Sequence, residues 1–216
     1  MIDVLILNTS DQFALDKCIN SIDDMLPVNI KVVNLSENPT LQDIPGSIYN
    51  KILHDCINPL FTIIDSNDYF LPGSLQALLE FVRHKSFGLL YAASIKRTTS
   101  QPDPVTDLPL LEETIYSVNP MRSPIFYNRK IVEYLLRFDH NTYYPEFDMC
   151  LKIWQRFEVT YFPIPLTNKA HKNLYNPEYL HDLETLIYNS KVRGTKQFFY
   201  AYASMYPDGL LDPVLK

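Results

Sequence analysis

Short apolar runs alternate with amphipathic stretches along most of the chain. Val4–Leu7, Ile30–Val33, Leu60–Ile64 and Leu89–Ala93 are rich in apolar and β-branched residues and have strand length. Between the first two, Phe13, Ala14, Cys18, Ile19 and Ile22 recur at helical spacing, with Ser10 or Asp11 in place to cap the helix. Ile48, Ile52, Leu53 and Cys56 repeat that pattern before the third run, with Ser47 as its cap, and Leu75–Val82 repeats it after. The succession of strand, helix, strand, helix, strand, helix, strand predicts a mainly parallel sheet with helices on both faces.

The pattern loosens afterwards. Arg97–Pro109 is polar, contains prolines and reads as a loop. Pro124–Tyr127 predicts a strand, Lys130–Phe138 a helix, and Asp148 caps a further helix carrying Met149, Leu151, Ile153 and Trp154. Val159–Phe162 is a strand that Pro163 and Pro165 should stop. Beyond Pro177, Tyr179, Leu180, Leu183, Leu186 and Ile187 have helical spacing. Neither a repeat nor a low-complexity linker interrupts the chain. The expected organisation is a domain over 1–171 with a helical extension over 172–216 packed on it.

Ligands of such sheets sit beyond the carboxyl ends of the strands. The third run ends in Asp65, Ser66, Asn67 and Asp68, an unusual density of oxygen atoms. Asp, Ser and Asn also build turns, so a turn is one explanation. A divalent cation site is the other, because Mg²⁺ and Mn²⁺ take oxygen ligands and bridge carboxylates to phosphates.

Composition narrows the choice. With 46% hydrophobic and 20% charged residues in 216, the chain can build a core and is not disordered. A net charge of -6 argues against a nucleic-acid binder. Cys18, Cys56 and Cys150 are far apart, which suggests reduced thiols in a cytoplasmic protein. "MIDVLILNTS" lacks a basic leader, and no window nears the roughly 18 apolar residues of a membrane span. The five glycines form neither GxGxxG nor GxxxxGK[ST].

Three segments resemble the family-2 glycosyltransferases of the GT-A fold, which are Rossmann-like. "TIIDSNDYFLPGSLQALL" is similar to that family's "fLDsDDxlxPxsLxxL", preceded by a helix with Asn50. "VLILNTSDQFALDKCINSI" resembles its first strand and helix. "SPIFYNRKIVEYLLRFDHNTYYPEFDMCLKI" resembles its acceptor-side segment ending in "EDxDLxLRl". Together they cover most of residues 2–171, and the rest matches nothing familiar.

The resemblance implies inverting transfer of a sugar from a nucleoside-diphosphate sugar, a UDP-sugar above all, to a hydroxyl of a glycan or other acceptor, in bacterial-type surface-glycan synthesis. It places Asp65 and Asp68 on acidic positions of the family's DxD-type motif, with Asp68 on the usual metal ligand and Mg²⁺ or Mn²⁺ as the ion. Asn67 replaces an acid near the sugar nucleotide. Asn34, in "VVNLSENPT", replaces the aspartate that contacts the base, and Thr9, Ser10 and Asn50 fall on the donor side. Alignment on "DMCLK" puts the catalytic base at Glu146; alignment on "PE" makes it Asp148, which has a competing job as a helix cap. His171 falls where some members place a third metal ligand; a surface histidine is the alternative. Arg122 leads the candidates for neutralising a diphosphate, ahead of Lys96, Arg97, Arg129 and Lys172. The tail "KVRGTKQFFYAYASMY" suits peripheral membrane contact or packing on the core. The two acid-to-amide changes leave a second possibility, a non-catalytic relative that binds a partner or glycan.

Overall fold

A computed structural model describes residues 1–8, 12–23, 25–35, 45–97, 102–103, 124–133, 137–139, 145–154 and 156–169. The expected extension over 172–216 lies outside them. The elements are β1 (Ile2–Asn8), α1 (Gln12–Asn20), β2 (Val28–Asn34), α2 (Pro45–Leu53), β3 (Leu60–Asp65), β4 (Tyr69–Phe70) and α3 (Ser74–Val82). They are followed by β5 (Leu89–Arg97), β6 (Pro102–Asp103), β7 (Ile125–Asn128), α4 (Arg129–Ile131), α5 (Pro145–Trp154) and β8 (Val159–Lys169).

The strands form one mixed sheet in the order β2-β1-β3-β7-β5-β8-β4, with β6 on β5. β1 pairs in parallel with β2 and with β3, and β5 with β8. The antiparallel ladders are shorter, so parallel pairing dominates, as expected. The strand order also means that β1, β2, β3, β5 and β8 all point the same way.

Alternation along the strands divides the core in two. Ile2, Val4 and Ile6 of β1 join Leu90, Phe126 and Phe162 beneath Leu15 and Cys18 of α1 and Leu75 and Leu78 of α3. Leu5, Phe61, Tyr91 and Tyr127 face the other way, against Ile52 and Leu53 of α2 and Met149, Cys150 and Ile153 of α5. Right-handed crossovers from β1 to β2 and back across to β3 must place their helices on opposite faces. α1 and α2 obey this.

Several expectations are corrected. Phe13 does not join the core: it is 79% exposed, and Leu15 takes the inner face of α1 with Cys18. Ser47 and Asp148 do not stand at the N-caps expected of them, because α2 and α5 begin earlier, at Pro45 and Pro145. Proline suits a first turn, where its missing N–H has no partner to lose. The helix expected over Lys130–Phe138 has ended by Arg137, which takes φ 51° and donates its N–H to Val132 O. Pro163 and Pro165 do not stop β8. Ala92 pairs with Phe162 but Ser94 with Thr167, so residues 163–166 oppose Ala93 alone in a bulge that needs no proline N–H.

At the amino end of the sheet, Asp3 is fully buried. It accepts from Asn29 Nδ2 (2.6 Å), Ile57 N (2.9 Å), Asn58 N (2.7 Å) and Asn58 Nδ2 (3.0 Å), tying the α2–β3 loop to β1 and β2. Asp3→Ala leaves these donors unpaired, and the expected cost in urea unfolding is about 3 kcal/mol.

Candidate functional site

The carboxyl ends of β2, β1 and β3 lie side by side, and register decides what they present. Asn8 is opposite Asn34, and Leu7 opposite Asp65. Asn8 Nδ2 donates to Asn34 Oδ1 at 2.9 Å, which joins the two strand ends. The order reverses at β1, so this edge is a topological switch point, the usual place for a crevice in such sheets.

The segment after β3 is a tight turn. Asp65 Oδ1 accepts from Asn67 N (2.9 Å) and Asn67 Nδ2 (2.7 Å), and Asp68 N donates to Asp65 O (2.9 Å). Ser66, fully buried, donates its N–H to Leu7 O at 2.9 Å and pins the turn to β1. Asp65, Asn67 and Asp68 are half-buried. Turn formation therefore does explain Asp65 Oδ1 and Asn67. It also sets two carboxylates three residues apart on one rigid corner. Among the described residues no three His, Cys, Asp or Glu side chains gather as a closed metal cage. A pair of carboxylates on one corner suits a cation that takes its other ligands from phosphate and water.

Glu146 and Asp148 differ sharply in setting. Both are in the first turns of α5, where the helix dipole favours negative charge. Asp148 is 8% exposed and paired with Lys152 one turn on. Glu146 is half-buried. Asn50 of α2 holds the approach to α5: its Nδ2 donates to Phe138 O at 2.6 Å and its Oδ1 accepts from Phe138 N at 3.0 Å. The Phe138 ring packs edge-on against Tyr49 (5.1 Å) and Tyr127 (5.7 Å).

Electrostatics connects these parts. Burial, then the charges of Glu146 and Asp65, hold the Tyr49 hydroxyl well above its usual pKa. Tyr49 thus feels β3 and α5 together. On the other face, burial, then Asp68, then Asp65, push the Cys18 thiol up to about 12. Asp65 is common to both. Cys56 is also raised to about 12, by burial and then Asp3. Burial and then Glu146 raise Cys150.

Asn34, Asp65, Asn67 and Asp68 fall at or just beyond the carboxyl ends of β2 and β3, whereas Asn50 lies on α2 and Glu146 and Asp148 on α5; Tyr49, within the field of both Glu146 and Asp65, links the two groups. Asn50 is engaged with the Phe138 backbone. Thr9, Ser10, His171, Arg122 and Lys172 lie outside the described residues. β8 ends at Lys169, beside β4, which begins directly after Asp68. Arg129 is at the far end of β7, bonded to Cys56 O (3.1 Å) and Glu133 (3.0 Å), away from this edge. Sequence reasoning passed over Asn8 and Tyr49. Asn8 carried a signal: like Asn34, it is an amide immediately after an apolar run.

No family model matches the sequence, and no curated protein matches it. Solved structures do match the fold. TarS 1-349 of S. aureus in complex with UDP-GlcNAc superposes with a TM-score of 0.66 at 13% identity, over 100% of this chain and 76% of that one. The mannosyltransferase PcManGT of Pyrobaculum calidifontis, in complex with GDP-Man and Mn²⁺, superposes at 0.59 and 12% identity, over 99% and 67%. The chain has a GT-A-like α/β fold. No helix among the described residues is long and apolar enough to cross a membrane.

The raised thiols have a consequence for stability. Below the unfolded thiol value, near 9, every form keeps its proton and the contribution is complete. Above it the unfolded chain ionises and the folded one resists, so stability falls between about pH 9 and 12. The unfolding free energy from urea titrations across that window is expected to drop by up to about 1.4 kcal/mol per pH unit per thiol. Cys18→Ser/Cys56→Ser should flatten the slope.

Proposed function

We propose that this protein is a glycosyltransferase that uses a nucleoside-diphosphate sugar and inverts the anomeric centre. The observation that carries the proposal is the row formed by Asn8, Asn34 and the Asp65–Asp68 turn at the switch point of three parallel strands. The GT-A-like fold and the nucleotide-sugar complexes of its structural neighbours add support.

In this proposal the base and ribose lie over the ends of β1 and β2. Asn8 holds Asn34 by its oxygen, which turns the Asn34 NH₂ outward as a donor to a uracil carbonyl. By the family resemblance, Thr9 and Ser10 would also contact the donor. Asp65 and Asp68 would hold Mg²⁺ or Mn²⁺, with His171 as a further ligand. When bound, the cation would neutralise charge on the departing diphosphate. Glu146 takes the proton from the acceptor hydroxyl as its oxygen attacks the anomeric carbon. The bond from that carbon to the diphosphate oxygen breaks in the same displacement, and its electron pair leaves with the diphosphate. Glu146 is preferred to Asp148 as the base because Lys152 already neutralises Asp148.

The test combines calorimetry with rate measurement. UDP is expected to bind in a Mn²⁺-dependent manner, and Asp68→Ala to weaken that binding at least about tenfold. Glu146→Gln is expected to leave UDP binding intact while lowering the transfer rate by about 10²–10⁴. Silence with UDP and Mn²⁺ would instead favour a non-catalytic binding protein. An unchanged rate in Glu146→Gln would return the role to Asp148.

A further inference from the structure

A second concavity lies on the α1 side of the Asp65–Asp68 turn. α1 and β4 enclose an open groove of about 810 Å³ whose walls include Phe13, Asp16, Lys17, Asn20, Asp23 and Tyr69. Tyr69 follows Asp68 directly, and Cys18, on the inner side of the same helix, lies within the field of both aspartates. The groove therefore adjoins the proposed donor site.

Its chemistry excludes several ligand classes. Two carboxylates against one lysine disfavour phosphates and nucleic acid. β4 is the sheet edge, but Ser21 Oγ already accepts the Phe70 N–H at 3.0 Å and Leu71 N donates to Leu166 O at 2.8 Å. An incoming peptide strand would find these donors engaged. What remains is an exposed aromatic ring beside fixed polar groups. Phe13, 79% exposed, presents its ring on the outer face of α1. Lys17 Nζ is held over the Tyr69 ring at 3.8 Å. Asp16 Oδ1 is fixed by Gln12 Nε2 (2.7 Å) and Asp23 Oδ1 by Met25 N (2.9 Å), so neither carboxylate swings freely. Rings that stack on C–H faces, next to oriented acceptors and donors for hydroxyls, recognise neutral saccharides.

We infer that the α1–β4 groove binds sugar units of a neutral glycan, stacked on Phe13 and bonded through Asp16, Asn20 and Asp23. This deepens the transfer reaction proposed above, on which the sugar's role as part of the acceptor rests. The site would hold an acceptor chain at a distance from its reacting end.

Amide NMR spectra of the whole chain, titrated separately with maltose, cellobiose and N,N′-diacetylchitobiose, test this. At least one is expected to shift the α1 and Tyr69–Gly73 amides saturably. Phe13→Ala and Asp23→Asn should each weaken that binding about tenfold without disturbing other amides, since the Phe13 ring is exposed and Asn keeps the acceptor for Met25 N. No saturable shift with any of the three, or shifts indifferent to both substitutions, overturns the groove. UDP with Mn²⁺ is the separate arm. Its shifts belong at Asn34 and Asp65–Asp68, so a null there counts against the donor site alone.

Discussion

Everything at the candidate site depends on β1 being paired in parallel on both sides. A strand in that position is buried on both faces, and Ile2, Val4, Leu5 and Ile6 are all fully covered. Its two crossovers leave in opposite directions, so α1 and α2 cannot share a face. The carboxyl ends of β1, β2 and β3 meet at the edge between them. Hydrogen-bonding register then sets Asn8 against Asn34 and Leu7 against Asp65. A slip of one residue would exchange the two cores and turn those groups away. Asp3, which ties β1, β2 and the approach to β3 together at the opposite end, guards the same register.

The Asp65–Asp68 corner is built as a turn, and in the proposed function the same atoms would also serve the chemistry. Its internal hydrogen bonds make it rigid, and rigidity gives a carboxylate pair a fixed bearing. Its charge reaches both faces of the sheet through a poorly screening interior. Cys18 on one side and Tyr49 on the other both register it. Negative potential concentrated at a half-buried edge is unfavourable in isolation. A cation placed there would relieve it, in keeping with the proposed donor site.

Proline shows where a reading of residues one by one falls short. Pro163 and Pro165 were legible as punctuation, but what a proline does depended on its neighbours. Pro45 and Pro145 open helices rather than precede them, which displaced Ser47 and Asp148 from the capping positions their chemistry suggests. Pro163 and Pro165 look like the end of β8, yet β5 accommodates them opposite a single residue. Phe13 fits the apolar period of α1 but falls on its outer side, because Leu15 and Cys18 already fill the space above β1.

Local pattern alone determined that β1, β2, β3 and β5 are strands, that helices separate them, and that acids and amides stand at the strand ends. Those properties depend on neighbours within a few residues, and spacing records them. Which strand lies beside which was not recorded there, since pairing joins segments tens of residues apart. Only the folded sheet brought Asn8 to Asn34 and Tyr49 into the fields of both Asp65 and Glu146. It also buried Asp148 to 8% exposure and left Glu146 half-buried on the same helix. The difference between those two carboxylates is one of surroundings, and surroundings come from packing.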